Sequence, residues 1–308
     1  MEPITISIEN NVATITNNDP PYNRMTLEYM DALEEALPEL GADDNVRALI
    51  FTAAGEENFS VGMNLKQLGE GVEKKGSFDA VLDQRLRVLS MIENLGKPSI
   101  ATLFGYCLGG GLELPLACHF RIAAAQGAKI GLPEMDLGTV PAWGGSARLP
   151  RVIGRDAAID MILRGRVIDA DEALRIGLVN ETCPVRDLKK RAQELGDELA
   201  KQPRLAVKGM LDTLVGFETK TLQQSIEAER AAVHLTQGTP DAREGMLPFS
   251  KNANRNLTRA RDNAHYKACD IPACLYRVCR FWSGWLFADC LWARRGSRSW
   301  TGGRIRRV

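Results

Sequence analysis

The chain has no excess of charge of either sign. Its 308 residues include 39 Lys and Arg and 39 Asp and Glu, which gives a formal net charge of +0. Domains that bind nucleic acid usually carry a basic surplus, so the composition gives no support to nucleic-acid binding. A hydrophobic content of 44% and a charged content of 25% are ordinary for a globular protein.

Cysteine pairs of the kind that bind metals are missing. The seven cysteines are odd in number and form no Cys-x-x-Cys motif, so we expect neither a disulfide framework nor a zinc site. The chain begins Met1-Glu2-Pro3 and enters a strand pattern directly, without the basic start and apolar stretch of a secretory signal. These features predict a cytoplasmic protein that binds no metal.

The sequence also lacks a convincing membrane-spanning run. Residues 98–120 are largely apolar, but Gly109, Gly110, Gly111 and Glu113 interrupt them. Three successive glycines and a carboxylate suit a buried strand, a turn and a buried helix better than a helix that faces lipid. We therefore expect no insertion into a membrane.

Hydrophobic periodicity predicts an α/β protein. Residues 4–8 and 12–16 alternate between apolar and polar around Asn10-Asn11, which is typical of a β-hairpin. Thr26 is expected to open a helix that Gly41 closes, and residues 69–76 read as an exposed loop. The remaining predictions are strands at 46–52, 99–104, 120–125 and 128–131, helices at 78–95 and 110–117, and a mainly helical stretch to about residue 245.

Three segments contain candidate site residues. Residues 59–66 (Phe-Ser-Val-Gly-Met-Asn-Leu-Lys) place Gly62 in a turn that either presents backbone N–H groups or simply precedes a helix. Residues 97–114 lead from a strand through three glycines to Glu113, whose apolar neighbours require that it be paired, protonated or functional. A helix-capping role for Glu113 is the alternative. Residues 131–150 place Glu134 after Pro133, as a candidate acid/base partner.

In this order and spacing, the three segments resemble the enoyl-CoA hydratase/isomerase (crotonase) superfamily. Residues 171–180 (Asp-Glu-Ala-Leu-Arg-Ile-Gly-Leu-Val-Asn) resemble it too, and the likeness covers residues 4–247. The resemblance implies a spiral of ββα units over residues 1–200. It also implies a helical region over residues 201–247 that makes trimer contacts, giving a homotrimer or a dimer of trimers.

The resemblance also implies the parts of a site. The backbone N–H groups of Met63 and Gly110 would hold a thioester oxygen, and Glu113 and Glu134 would be the catalytic carboxylates. The substrate would be an acyl-CoA thioester, with no separate cofactor because coenzyme A is part of the substrate. The other expected substrate-binding residues are Arg24, Gly62, Asn64, Leu65, Lys66, Gly109, Gly138 and Trp143.

Retention of both glutamates favours an enoyl-CoA hydratase. Another reaction on a CoA thioester stays open: isomerisation, hydratase-lyase chemistry on an aromatic acyl-CoA, or thioester hydrolysis. A non-catalytic CoA-binding scaffold is the third alternative. Trp143 stands where hydratases of the family usually have a small residue, so it either reshapes the acyl pocket or fills core space. Arg24 and Lys66 either approach the CoA phosphates or are plain surface cations.

Composition changes after about residue 247. Four of the five tryptophans and four of the seven cysteines lie beyond it, in a stretch dense in Arg without period 2 or 3.6. A shifted reading of residues 250–255 would encode an ending like that of crotonase proteins. One hypothesis is therefore that residues 248–308 are a disordered frameshift product, and the alternative is a natural basic tail.

Overall fold

A computed structural model describes residues 2–247. One compact unit spans Met1–Arg243, and a second unit begins at Glu244. The atypical segment 248–308 lies outside the described residues, so both hypotheses about it stay predictions. The boundary expected at residue 200, between a spiral core and a helical region, also stays a prediction.

Two β-sheets are found in the described part of the chain. Six strands form the larger sheet in the order β1-β2-β3-β4-β6-β9, and three form the smaller sheet in the order β5-β7-β8. In the larger sheet only β1 and β2 pair antiparallel. The strands are β1 Ile4–Glu9, β2 Val12–Asn17, β3 Ala48–Ala53, β4 Ser99–Leu103, β5 Tyr106–Leu108, β6 Phe120–Ala124, β7 Lys129–Gly131, β8 Val167–Ile168 and β9 Glu181–Cys183.

Helices follow or separate these strands, which confirms the predicted α/β class. Short 3-10 helices at Leu65–Gln67, Pro133–Leu137 and Phe217–Thr219 add to them. Within residues 2–247 no helix combines the length and the apolar character needed to cross a membrane. The α-helices are α1 Leu27–Ala42, α2 Leu68–Lys75, α3 Phe78–Asn94, α4 Gly110–Ala117, α5 Gly145–Ile153, α6 Arg155–Leu163, α7 Ala170–Arg175, α8 Val185–Ala200, α9 Arg204–Leu214, α10 Leu222–Thr236 and α11 Pro240–Met246.

The predicted hairpin and the predicted start of α1 are confirmed. Asn10 and Asn11 both have positive φ, 51° and 65°, and this pair of left-handed residues gives a turn whose twist matches the flanking strands. The side chain of Thr26 accepts a hydrogen bond from the Tyr29 N–H at 3.1 Å, so it caps α1. Local chemistry accounts for both features, and both were therefore readable from the sequence.

Two predictions based on glycine are wrong. Helix α1 continues through Gly41 to Ala42, so Gly41 lies inside the helix, where a Cβ would be 2.9 Å from Cδ1 of Leu95. Residues 69–76 are not a loop, since most of them belong to α2. Gly71 is buried there, with Cδ2 of Leu27 2.9 Å from the position of a Cβ. In both cases glycine allows close packing and does not break the helix.

Candidate active site

A cavity of about 550 Å³ lies where the three candidate segments meet. Strand β5 leads through Gly109 into α4, and the 3-10 helix Pro133–Leu137 follows β7, which pairs with β5. This pairing places Glu113 and Glu134 on one cavity whose walls are mainly apolar. Such a combination of an apolar pocket with a few convergent polar groups is typical of a small-molecule site.

Glu113 is the most deeply buried carboxylate of this cavity. Its exposed fraction is 2%, and its Oε1 accepts hydrogen bonds from the N–H groups of Trp143 and Gly145, each at 2.8 Å. Burial raises the pKa of the Glu113 carboxyl to about 7. The two backbone donors oppose that shift, and the negative charge of Glu134 adds to it. Glu113 is thus poised to exchange a proton near neutral pH.

Glu134 is a second carboxylate with a raised pKa, because it too loses solvent on burial. Its Oε2 is buried and has no hydrogen-bond partner within residues 2–247. Its Oε1 lies 2.8 Å from the position that a Cβ at Gly109 would take. An ionised oxygen without a donor is costly where solvent is excluded, which agrees with the direction of the shift in the pKa of Glu134.

Two backbone N–H groups on the cavity wall are free to bind a ligand. Among the described residues, neither the Met63 N–H nor the Gly110 N–H donates to a protein acceptor. Gly62 brings the two segments together: its φ is +94°, and a Cβ there would lie 2.7 Å from the carbonyl oxygen of Leu108 and 3.5 Å from the Gly110 nitrogen. Because Gly110 begins α4, its N–H also lies at the positive end of that helix.

Trp143 both lines the cavity and belongs to the hydrophobic core. It is only 4% exposed. Its indole lies against α4, since a Cβ at Gly110 would be 2.6 Å from Cζ3 of the ring. The guanidinium carbon of Arg85 lies over the ring, 5.7 Å from its centroid. The contacts with Gly110 and Arg85 hold the indole in place as a wall of the cavity.

The structure brings eight of the twelve expected site residues to the cavity lining. These are Gly62, Met63, Leu65, Gly109, Gly110, Glu113, Glu134 and Trp143.

The other four expected residues lie outside that lining. Arg24 is engaged by Asp19, with Nε–Oδ2 at 2.6 Å and Nη2–Oδ1 at 2.8 Å. The side chain of Asn64 donates to Oε1 of Gln67 at 3.1 Å. Lys66 and Gly138 are exposed. Contact between any of these four and a bound CoA stays a prediction.

Sequence reasoning missed most of the apolar wall. Phe78 and Leu82 stand four residues apart on one face of α3 and both line the cavity. The four-residue spacing of Phe78 and Leu82 can be read from the sequence. It does not show which part of the protein this face of α3 packs against. Leu68, which also lines the cavity, begins α2, a helix that lies mostly within residues 69–76, where a loop was predicted. The wall is completed by Val61, Leu108, Pro133, Leu137, Thr139, Val140 and Ala142.

Within residues 2–247 no group of three or more His, Cys, Asp or Glu side chains is placed to hold a metal ion. The three cysteines of that range, Cys107, Cys118 and Cys183, are free thiols. The cavity brings together two carboxylates and two backbone donors, which can bind an oxyanion and move protons.

The fold and the cavity define a crotonase-type protein. The family model described as enoyl-CoA hydratase/isomerase matches residues 7–258, and the chain belongs to that family. A probable enoyl-CoA hydratase of Bacillus subtilis is 32% identical over 252 residues, covering 81% of this chain and 96% of its own. A crotonyl-CoA hydratase of Syntrophomonas wolfei is 32% identical over 258 residues, covering 83% and 98%. The crystal structure of an enoyl-CoA hydratase from Bacillus anthracis matches with a TM-score of 0.75 at 33% identity, covering 80% of this chain and 95% of that one.

Proposed function

We propose that this protein is an enoyl-CoA hydratase, which adds water reversibly to the double bond of a 2-enoyl-CoA thioester. The observation that carries the proposal is the meeting of two buried carboxylates and two free backbone N–H groups on one apolar cavity. The hydratase names of the Bacillus subtilis and Syntrophomonas wolfei relatives support the same reaction. No separate cofactor is needed, since coenzyme A is part of the substrate.

The first part of the mechanism is the stabilisation of negative charge. The thioester oxygen would accept hydrogen bonds from the N–H groups of Met63 and Gly110. As water adds to Cβ, charge develops on this oxygen in an enolate-like transition state. Donors that are already in place at that moment contribute roughly 3 kcal/mol each to lowering the barrier.

In the second part of the mechanism, the two glutamates have different roles. The two N–H donors on Oε1 of Glu113 favour its carboxylate form, so Glu113 takes a proton from water while the water oxygen bonds to Cβ. Glu134 lacks such donors on Oε2, so in the substrate complex it would carry the proton that is delivered to Cα. A carbon–oxygen bond and a carbon–hydrogen bond form, the double bond is lost, and proton transfer then restores both carboxyls.

The alternative reactions require different groups in the same cavity. Isomerisation of a 3-enoyl thioester needs a single proton carrier, and thioester hydrolysis needs water directed at the carbonyl carbon. A CoA-binding scaffold needs neither carboxylate, yet this chain keeps Glu113 almost wholly buried in spite of the cost of its charge. Addition or removal of water gives both carboxylates a task.

The test follows the loss of crotonyl-CoA absorbance with wild-type protein, Glu113→Gln, Glu134→Gln and the exposed control Glu198→Gln. We expect turnover by the wild type and the control, and a loss of about 10²–10⁴-fold in each site variant. No hydration by the wild type would refute the proposal. Turnover of a 3-enoyl-CoA instead would then indicate an isomerase, and binding of CoA thioesters without turnover would indicate a scaffold.

We also propose that the protein assembles as a homotrimer or a dimer of trimers and acts in the cytoplasm. Apolar side chains on α9 and α10 are exposed in the single chain: Leu214 is 61% exposed, Leu222 78% and Val233 58%. Such side chains are suited to burial in a subunit contact. Light scattering coupled to gel filtration measures the mass directly, and a monomer at working concentrations would refute the assembly.

A further inference from the structure

The loop that holds Glu113 is itself held by a charged side chain. Arg148, on α5, donates from Nη1 to the carbonyl oxygen of Trp143 at 3.2 Å. The N–H groups that bind Glu113 belong to Trp143 and Gly145, on either side of that carbonyl. Gly144 between them has a φ of +96°, and a Cβ there would collide with Nη1 of Arg148. Because of this close approach, the guanidinium of Arg148 supports the loop of residues 143–145.

Arg148 has an acidic partner on a different helix. Its Nη2 and Nε donate to Oε2 of Glu93 at 2.9 and 3.3 Å. The Arg148 side chain is 15% exposed and that of Glu93 31%. An ion pair of this kind, largely shielded and formed by a planar guanidinium, has a defined geometry. Glu93 therefore ties α3 to the loop that carries the donors of Glu113.

We propose that Arg148 and Glu93 form a positioning pair for the carboxylate of Glu113. The pair places the two N–H donors on Oε1 and balances the local charge that Glu113 faces. Neither side chain lines the cavity of about 550 Å³, so neither touches the substrate. The proposal rests on the hydratase function, because it assigns the pair to the group that takes the proton from water.

The charges around Glu113 make the two members of the pair act in opposite directions. Glu134 raises the pKa of Glu113 and Arg148 lowers it. Glu93 neutralises part of the Arg148 charge, and beyond it His119 is kept neutral at pH 7 because burial lowers its pKa. Arg85, which lies over the Trp143 ring, keeps its charge in all the variants compared. Loss of the Arg148 charge should therefore raise the pKa of Glu113, and loss of the Glu93 charge should lower it.

The experiment compares the pH dependence of kcat/KM for crotonyl-CoA hydration in Arg148→Gln, Glu93→Gln and the wild type. The acidic limb should move to higher pH in Arg148→Gln and to lower pH in Glu93→Gln, by about 0.5 pH unit or more. Arg148→Lys keeps the positive charge but loses the planar set of guanidinium donors. Its acidic limb should therefore stay near the wild-type pH, while its kcat should fall. Arg87→Gln, which breaks the ion pair between Arg87 of α3 and Glu34 of α1, is the matched control and should leave the acidic limb in place.

A purely structural pair would behave differently. Arg148→Gln and Glu93→Gln would then lose activity in proportion to their loss of melting temperature. The acidic limbs of their pH profiles would stay in place or move in the same direction. Either behaviour of the limbs overturns the proposal. Titration of the ¹³C-labelled Glu113 carboxyl by NMR, assigned with Glu113→Gln, reads the same shifts without turnover. If the wild type fails to hydrate crotonyl-CoA, the proposed function fails, while the NMR titration still decides whether the pair sets the pKa of Glu113.

Discussion

The carboxylate of Glu134 packs directly against Gly109, where a Cβ would crowd it. A Cβ on Gly109 would lie 2.8 Å from Oε1 of Glu134, and the backbone at Gly109 has a φ of +54°. This contact joins the glycine turn before α4 to the 3-10 helix that carries Glu134. Gly109 therefore leaves room for the second carboxylate as well as forming the turn before α4.

Gly109→Ala should lower the hydration rate by displacing Glu134. A shift of about 1 Å in a reacting group can cost roughly 100-fold in rate, and we expect kcat to fall on that order. Gly127→Ala is the control for backbone strain, since Gly127 has a φ of +79° but nothing within 4 Å of a Cβ. Equal losses of kcat in the two variants would show that strain alone is responsible.

Glu113→Gln should stabilise the protein at high pH. The pKa of Glu113 is raised from 4.5 to about 7 in the folded state, so folding is penalised as pH rises through that window and the penalty is constant above it. Glutamine can still accept both N–H bonds and carries no charge. The free energy of unfolding of the variant relative to wild type should rise by about 2 kcal/mol between pH 5 and pH 8.

Urea denaturation at the two pH values measures this change for Glu113→Gln. The exposed Glu198→Gln is the control and should show no such dependence on pH. A relative stability of Glu113→Gln that is flat, or that falls toward pH 8, would contradict a buried carboxyl with a raised pKa.

Trp143→Ala should change which acyl groups the enzyme accepts. The indole fills space beside Gly110 and lines the same cavity as Glu113, so its removal opens the wall of the cavity. We expect kcat/KM for a branched or aromatic 2-enoyl-CoA to rise relative to crotonyl-CoA by about 10-fold. Trp143→Phe, which keeps a ring, should show a smaller change. An unaltered ratio in both variants would mean that Trp143 only fills the core.

Arg24→Ala tests the expected contact with the CoA phosphates. Because Asp19 occupies Nε and Nη2 of Arg24, only part of the guanidinium is left for a phosphate, and we expect KM for crotonyl-CoA to rise by about 5-fold. The N-acetylcysteamine thioester, which has no phosphate, should show no change. Arg87→Ala is the control for loss of a surface cation. An equal rise in KM for both thioesters would exclude the phosphate contact.

Local sequence patterns were sufficient for much of the fold. The Asn10-Asn11 turn and the Thr26 cap follow from the chemistry of neighbouring residues, and each was predicted correctly. Gly41 and Gly71 misled because their role depends on a distant partner, Leu95 or Leu27. A glycine that permits close packing and a glycine that ends a helix look alike in the sequence.

The sequence alone determined which groups can carry chemistry: two glutamates beside glycine-rich turns, at a spacing that resembles a known family. The tertiary structure decided what surrounds them. The donors that hold Glu113 come from Trp143 and Gly145, some thirty residues away, and they are placed by the contact of Arg148 with their loop. The pKa of a carboxyl depends on its burial and on the charges around it, and both exist only once distant segments have packed together.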